Sequence, residues 1–149
     1  MRSILTALLV AAALACGNSK PPAEPSDDEP QPKRVASNVE FTLRRGEIAS
    51  VDGGNLLVTF LAVIEDSRCA ADVVCVWQGD AAMTFRIERP QAAAPFVGID
   101  TLHTELEPKA ATHAGFRVEV RRLQPYPYSS DEPGSRDYRV TLAVIQAVD

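Results

Sequence analysis

Hydrophobic and polar residues alternate along most of the chain after residue 37. The alternation is clearest from Ala81 to Ile87, from Phe116 to Val120 and from Tyr138 to Val144. Successive side chains of a β-strand point to opposite faces, so an alternation with a period of two residues puts the apolar side chains on one face. This is the pattern of a strand with one buried face and one solvent-exposed face. No stretch of useful length shows the period of an amphipathic helix. The pattern therefore predicts a domain built from strands.

Weaker or shorter patterns predict further strands. They cover residues 39–43, 47–51, 56–64, 73–77 and 96–104. The run at 56–64 is apolar on both faces, which predicts a central strand covered on both sides. Residues 105–114 and 125–136 lack such a pattern and are predicted to be loops. Seven or eight short strands separated by turns predict an all-β domain over residues 38–149, as an antiparallel β-sandwich or open barrel.

The first fifteen residues predict an export signal. A short basic start is followed by an apolar run from Ile4 to Leu14, which is shorter than the roughly 20 residues that span a bilayer. The small residues before Cys16 resemble the lipobox of bacterial lipoproteins, although Ala13 stands where that motif usually has Leu. The resemblance implies that residues 1–15 are a removable signal peptide and that Cys16 carries a lipid. An ordinary signal peptide with an unmodified Cys16 is the alternative.

The residues after Cys16 indicate a tether and a destination. Gly17 and Asn18 lack the Asp that retains many lipoproteins in the inner membrane, which resembles lipoproteins sent to the outer membrane. Residues 16–37 are rich in Pro, Ser and acidic residues and poor in large apolar ones, so they are predicted to be disordered. Fully extended, the segment would reach roughly 60 Å. We expect an exported domain held on the outer membrane through the Cys16 lipid, facing the periplasm or the cell surface.

Three cysteines leave one pair once Cys16 is assigned to lipidation. Export favours a disulfide between Cys69 and Cys75, which are six residues apart. A redox-active pair is the alternative, but it would be expected as C-x-x-C within a βαβ context. Trp77, the only tryptophan, follows the second cysteine, and we expect it to pack on the disulfide inside the core; an exposed position is the alternative.

The segment around these cysteines resembles a recurring pattern. It reads as an acidic pair, Ser-Arg-Cys, a short spacer, Cys-Val-Trp, a further spacer and Gly, from Glu65 to Gly79. In this respect the chain resembles small exported bacterial lipoproteins, with Ala70 where the pattern usually has Pro. The resemblance covers about a tenth of the chain. It implies an exported β domain and implies no activity.

The composition of the chain limits the partners and reactions that can be proposed for it. The 15 basic and 20 acidic residues give a net charge of −5, which argues against a nucleic-acid partner. The only imidazoles, His103 and His113, lie outside any nucleophile motif and are expected to be ordinary surface or core residues. No catalytic residue, cofactor or transition-metal site is predicted. Calcium is the one metal with candidate ligands, and a simply solvated acidic loop is the alternative. Those ligands are Glu65, Asp66, Asp72 and Asp80.

Two predicted loops are the candidate binding surfaces, because loops tolerate side-chain choice without disturbing the strands. They cover residues 65–72 and 125–131. Their candidate contact residues are Asp66, Arg68, Asp72, Tyr126 and Tyr128, and Trp77, which follows the first loop, is a further candidate. We expect joint substitution of Arg68 and Tyr126 to leave thermal stability nearly unchanged and to reduce recovery of a cross-linked envelope partner.

The sequence favours a non-catalytic, lipid-anchored envelope domain that binds or stabilises an envelope protein or ligand. An envelope hydrolase with a carboxylate pair and a secreted inhibitor-like module are the alternatives.

Overall fold

The computed structural model describes residues 31–132 and 136–146. Nine strands and one short 3-10 helix, Asp52–Gly54, lie within these ranges. The strands are β1 (Lys33–Val35), β2 (Glu40–Arg44), β3 (Ile48–Val51), β4 (Leu56–Asp66), β5 (Ala81–Arg89), β6 (Phe96–His103), β7 (Ala110–His113), β8 (Phe116–Gln124) and β9 (Arg139–Gln146).

The strands form two sheets, which confirms the predicted all-β sandwich. One sheet has the order β1-β3-β4-β5-β6 and the other β2-β9-β8-β7. All pairings are antiparallel except that of β1 with β3. The described part of the chain holds nine strands where the sequence predicted seven or eight, because β1 and β7 were not anticipated and the predicted strand at 73–77 does not form.

The core lies between the two sheets and is filled by every second residue of the long strands. In β5, for example, Met83, Phe85 and Ile87 are fully buried, and Phe85 stacks on Phe60 of β4 with ring centroids 5.5 Å apart. The prediction that β4 is covered on both faces is wrong. Its alternate residues point outward and are only half buried, and Ile64 is exposed.

Strand β1 lies inside the segment that was predicted to be a disordered tether. Lys33 to Val35 pair in parallel with Ala49 to Val51 at the edge of the larger sheet. The Lys33 ammonium donates to the Thr42 carbonyl oxygen at 3.2 Å. The ordered domain therefore begins at least five residues before residue 38. Cys16 and the predicted signal peptide lie outside the described residues.

Strand β7 occupies part of the segment predicted to be a loop. Residues 110–113 pair with 116–119 across a two-residue turn. Ala114 and Gly115 both have positive φ in this turn. Such a conformation is the one that tight hairpins need. In the residues the structure describes, no helix is long and apolar enough to cross a membrane.

Candidate functional site

Two loops meet at one end of the sandwich. The disulfide loop, residues 67–80, joins β4 to β5, and the tyrosine loop, residues 125–138, joins β8 to β9. The Ala71 amide donates to the Pro127 carbonyl oxygen at 2.7 Å. The Asp72 carboxylate accepts from the backbone amide of Ser129 at 2.9 Å and from its hydroxyl. The two loops predicted separately as binding surfaces therefore form one joined structure.

Arg68 lies beneath this junction and is the most buried charged residue of the described ranges, with 7% of its surface exposed. Its Nε and Nη2 atoms each donate to one carboxylate oxygen of Asp66 at 2.8 Å. Nη1 donates to the Leu123 carbonyl oxygen at 2.7 Å, and Nη2 also donates to the Pro125 carbonyl oxygen at 2.8 Å. A buried guanidinium is tolerated because its donors are satisfied in this way.

This arrangement corrects the expectation that Arg68 and Asp66 offer polar contacts to a partner. Both side chains are almost fully buried and point into the domain. The ring of Tyr126 covers the guanidinium, with the Cζ atom 4.7 Å from the ring centroid. Arg68 and Asp66 thus hold the tyrosine loop against the end of β4. Replacing Arg68 is therefore expected to lower stability, contrary to the expectation for the joint substitution of Arg68 and Tyr126.

The Asp66 carboxylate also contacts two side chains at the far end of the tyrosine loop. The Tyr138 hydroxyl donates to its Oδ2 atom at 2.8 Å, and Arg136 Nη1 lies 3.4 Å from the same oxygen. Arg136 in turn donates to Asp131 at 2.8 Å. Burial by itself raises the pKa of Asp66, but the hydrogen bonds from Arg68 and Tyr138 outweigh it, so that the pKa lies below its ordinary value.

The disulfide between Cys69 and Cys75 is formed, as predicted. Two backbone bonds continue the β4–β5 pairing into the loop: Ser67 N to Asp80 O at 2.7 Å and Cys69 N to Gln78 O at 2.9 Å. Gly79 has φ +71°, and a Cβ at that position would lie 2.0 Å from the Ser67 carbonyl oxygen. Only glycine fits so close an approach. The base of the loop is thus fixed by a covalent bond, two hydrogen bonds and a required glycine.

The outer part of the disulfide loop presents an apolar surface, named here the apolar tip. It consists of Val73, Val74, Val76 and Trp77. Val74 is fully exposed, Val76 is 93% exposed and Trp77 is 84% exposed. Leu106, on the neighbouring β6–β7 connection, is also exposed and lines a depression of about 340 Å³ with Trp77 and Gln78.

Two sequence predictions fail at the apolar tip. Residues 73–77 form no strand, because the disulfide closes them into a loop beyond the last pairs of the β4–β5 ladder. Trp77 was expected to pack in the core and instead lies at the surface, since the loop projects past the two packed sheets. An exposed position was the alternative for Trp77, and it is the one observed.

Asp80, at the end of the disulfide loop, organises the neighbouring connection. Its Oδ1 atom accepts from the backbone amides of Thr104 and Glu105 at 3.1 and 2.9 Å, and its Oδ2 atom lies 2.6 Å from His103 Nδ1. Burial opposes ionisation, but these hydrogen bonds lower the pKa of Asp80 to about 2. No local pattern in the sequence indicates this role, because the partners of Asp80 are more than twenty residues away along the chain.

The two histidines have similar surroundings. His113 Nε2 lies 2.7 Å from Asp100 Oδ2, and its ring stacks on Phe96. Each histidine in the described residues is thus paired with an aspartate and ties one strand or loop to another.

The acidic residues proposed as calcium ligands do not converge. Asp66 binds Arg68, Asp72 binds Ser129, and Asp80 binds the connection after β6. Over residues 31–132 and 136–146, no group of three or more His, Cys, Asp or Glu side chains is placed to hold a metal ion. The arrangement therefore offers no support for the calcium hypothesis.

Comparisons with protein-family models, with curated proteins and with solved structures find no match for this chain. The resemblance to small exported lipoproteins therefore stays a prediction.

Proposed function

We propose that this protein is an exported, lipid-anchored envelope domain that works by binding, without catalysis, and that the apolar tip is its contact surface. The observation that carries the proposal is the exposure of Val74, Val76 and Trp77 within four consecutive residues of a braced loop. Single exposed apolar residues are ordinary, whereas contiguous ones mark interaction sites. Burying three such side chains contributes on the order of 5 kcal/mol before the costs of association are subtracted.

The construction of the loop supports this proposal. The disulfide, the backbone bonds at the loop base and the junction with the tyrosine loop restrict the backbone before any partner arrives. A restricted loop loses less conformational entropy on binding than a free one. Tyr126 and Tyr128, each about half exposed, lie in the adjoining loop and extend the surface.

The carboxylates at this end of the domain also favour binding over hydrolysis. Asp66, Asp72, Asp80 and Asp131 all have a pKa below the ordinary value because they accept hydrogen bonds from their own chain. A carboxylic acid that protonates a leaving group needs the opposite shift, a raised pKa. These four groups are thus stably ionised and already bonded at neutral pH.

Lipid anchoring is the part of the proposal that rests on sequence alone. Labelling with a palmitate analogue should mark the wild-type protein and leave Cys16→Ser unlabelled. Equal labelling of the two proteins would refute the assignment of Cys16.

The binding surface is tested by site-specific photo-crosslinking in the cell envelope. A photoreactive amino acid at position 76, in the apolar tip, should capture a protein or lipid partner. Position 97 is the matched control, because Val97 is also an exposed valine but lies on strand β6. Adducts from position 76 and none from position 97 support the proposal, and equal yields at the two positions contradict it.

A further inference from the structure

We infer that the partner of the apolar tip is the lipid bilayer that holds the anchor, so that the domain rests on the membrane through two contacts. This inference rests on the proposed function and names the partner of the same surface. It follows from the chemistry of the apolar tip, from its size and from the direction in which the chain enters the domain.

The chemistry of the apolar tip suits the membrane interface. Tryptophan is enriched at the level of the lipid headgroups, where an apolar ring with one N–H donor is favoured, and valine side chains partition into the acyl region. The disulfide loop contains one basic residue, Arg68, and its side chain is buried and paired with Asp66. No cation of this loop is available to an anionic headgroup, so the contact is expected to be apolar and independent of anionic lipid.

The size of the apolar tip favours lipid over protein. A stable protein interface engages about 20–30 residues on each side. Here the strongly exposed apolar residues of the loop are few, and Asp72 and Ser129, which lie next to them, bond to each other. Shallow insertion of a few side chains needs no such area, because the surrounding polar groups stay in water.

The direction of β1 points the chain that precedes it toward the end of the domain that carries the disulfide loop. Lys33 pairs with Ala49, and Ala49 pairs with Val58 of β4, whereas Val35 is level with Leu56 at the start of that strand. Followed backwards from Val35 to Lys33, the chain therefore runs toward the Asp66 end of β4, where the disulfide loop lies. Asp66 is eight residues beyond Val58, or about 25 Å along the strand.

The chain before β1 is long enough to allow both contacts at once. Residues 17 to 32, sixteen in number, separate Cys16 from Lys33. Sixteen residues span up to about 50 Å, which is about twice the distance from the level of Lys33 to the end of β4. A lipid on Cys16 therefore leaves the apolar tip free to reach the bilayer that holds it.

Fluorescence quenching tests the inference on the full-length lipidated protein in phosphatidylcholine vesicles. Trp77 is the only tryptophan, so the intrinsic signal comes from the apolar tip alone. Lipids brominated on the acyl chains should quench this emission in the wild type. The double variant V74D/V76D keeps both the tryptophan and the anchor and should lose most of the quenching. The matched control V97D/I99D places two aspartates at exposed positions of β6 and should be quenched like the wild type.

Several outcomes would overturn the inference. If Trp77 is not quenched in anchored wild-type protein, the apolar tip does not enter the bilayer and the inference is wrong. If position 76 then captures an envelope protein, the proposed binding function is still supported. Quenching that persists in V74D/V76D, or that requires phosphatidylglycerol, rules out insertion of an apolar loop. Wild-type protein that separates from the vesicles shows that the anchor itself, and with it this inference, is wrong.

Discussion

Replacing Arg68 with alanine tests whether the buried pair with Asp66 holds the two loops on the domain. The substitution removes the bidentate contact to Asp66 and the donors to the carbonyl oxygens of Leu123 and Pro125. Removing one partner of a buried ion pair costs about 3–5 kcal/mol. Asp66 keeps the Tyr138 hydroxyl at 2.8 Å, so the expected loss lies at the lower end, about 3 kcal/mol.

Urea unfolding followed by circular dichroism measures this loss as a lower midpoint. Arg68→Lys keeps the charge without the planar guanidinium and should lose less than Arg68→Ala. Arg117→Ala is the matched control, because Arg117 is half exposed and its nearest carboxylate contact, to Glu119, is 3.9 Å long. That control should change stability by less than about 0.5 kcal/mol.

The pH dependence of the Arg68→Ala effect follows from the direction of the Asp66 shift. The folded-state pKa of Asp66 lies below the unfolded value, so its stabilising contribution is complete above about pH 4 and is lost as pH falls through the folded pKa. The difference between wild type and Arg68→Ala should therefore shrink in acid. A loss below about 1 kcal/mol at neutral pH, similar to that of Arg117→Ala, would refute the structural role assigned to Arg68.

Three further predictions concern residues of the disulfide loop that support the apolar tip. Replacing Cys69 and Cys75 with serine should cost about 2 kcal/mol and preserve the circular dichroism spectrum, and two free thiols by mass spectrometry of the exported wild type would contradict the disulfide. Gly79→Ala should lower the free energy of unfolding in urea by more than about 1 kcal/mol, because its Cβ would meet the Ser67 carbonyl oxygen; unchanged stability would contradict the geometry. The folded-state pKa of Asp80, about 2, is below the unfolded value, so Asp80 contributes to the loss of stability between about pH 4 and 2. Asp80→Asn should abolish that contribution. Parallel profiles of stability against pH for the wild type and the variant would contradict this prediction.

Strands with a clear alternation were predictable because a strand that buries one face has apolar residues at every second position. Ala81 to Ile87 and Phe116 to Val120 lie in β5 and β8, where alternate residues are buried against the opposite sheet. Strand β7 was missed because Ala110, Ala111 and Thr112 differ too little in polarity to show a period. The short parallel strand β1 was missed because its pairing with β3 depends on residues sixteen positions away.

The candidate site was predictable in place but not in the roles of its residues. The position of the loops and the Cys69–Cys75 bridge followed from local patterns and cysteine arithmetic. The burial of Arg68 did not, since two of its acceptors, Leu123 and Pro125, are more than fifty residues away. Trp77 was predicted to lie in the core, packed on the disulfide, because tryptophan is usually a buried residue. The disulfide instead closes a loop that lies outside the core, and Trp77 is exposed on it.

We expect that the apolar tip can be changed without changing the fold, whereas the residues beneath it cannot. The most direct measurement compares Trp77→Ala with the wild type in two assays on the same full-length protein. Because Trp77 is 84% exposed, its removal should shift the free energy of unfolding by less than about 0.5 kcal/mol. The yield of photo-crosslinked partner from position 76 should fall sharply in the same variant. A large loss of stability, or an unchanged crosslinking yield, would contradict the account.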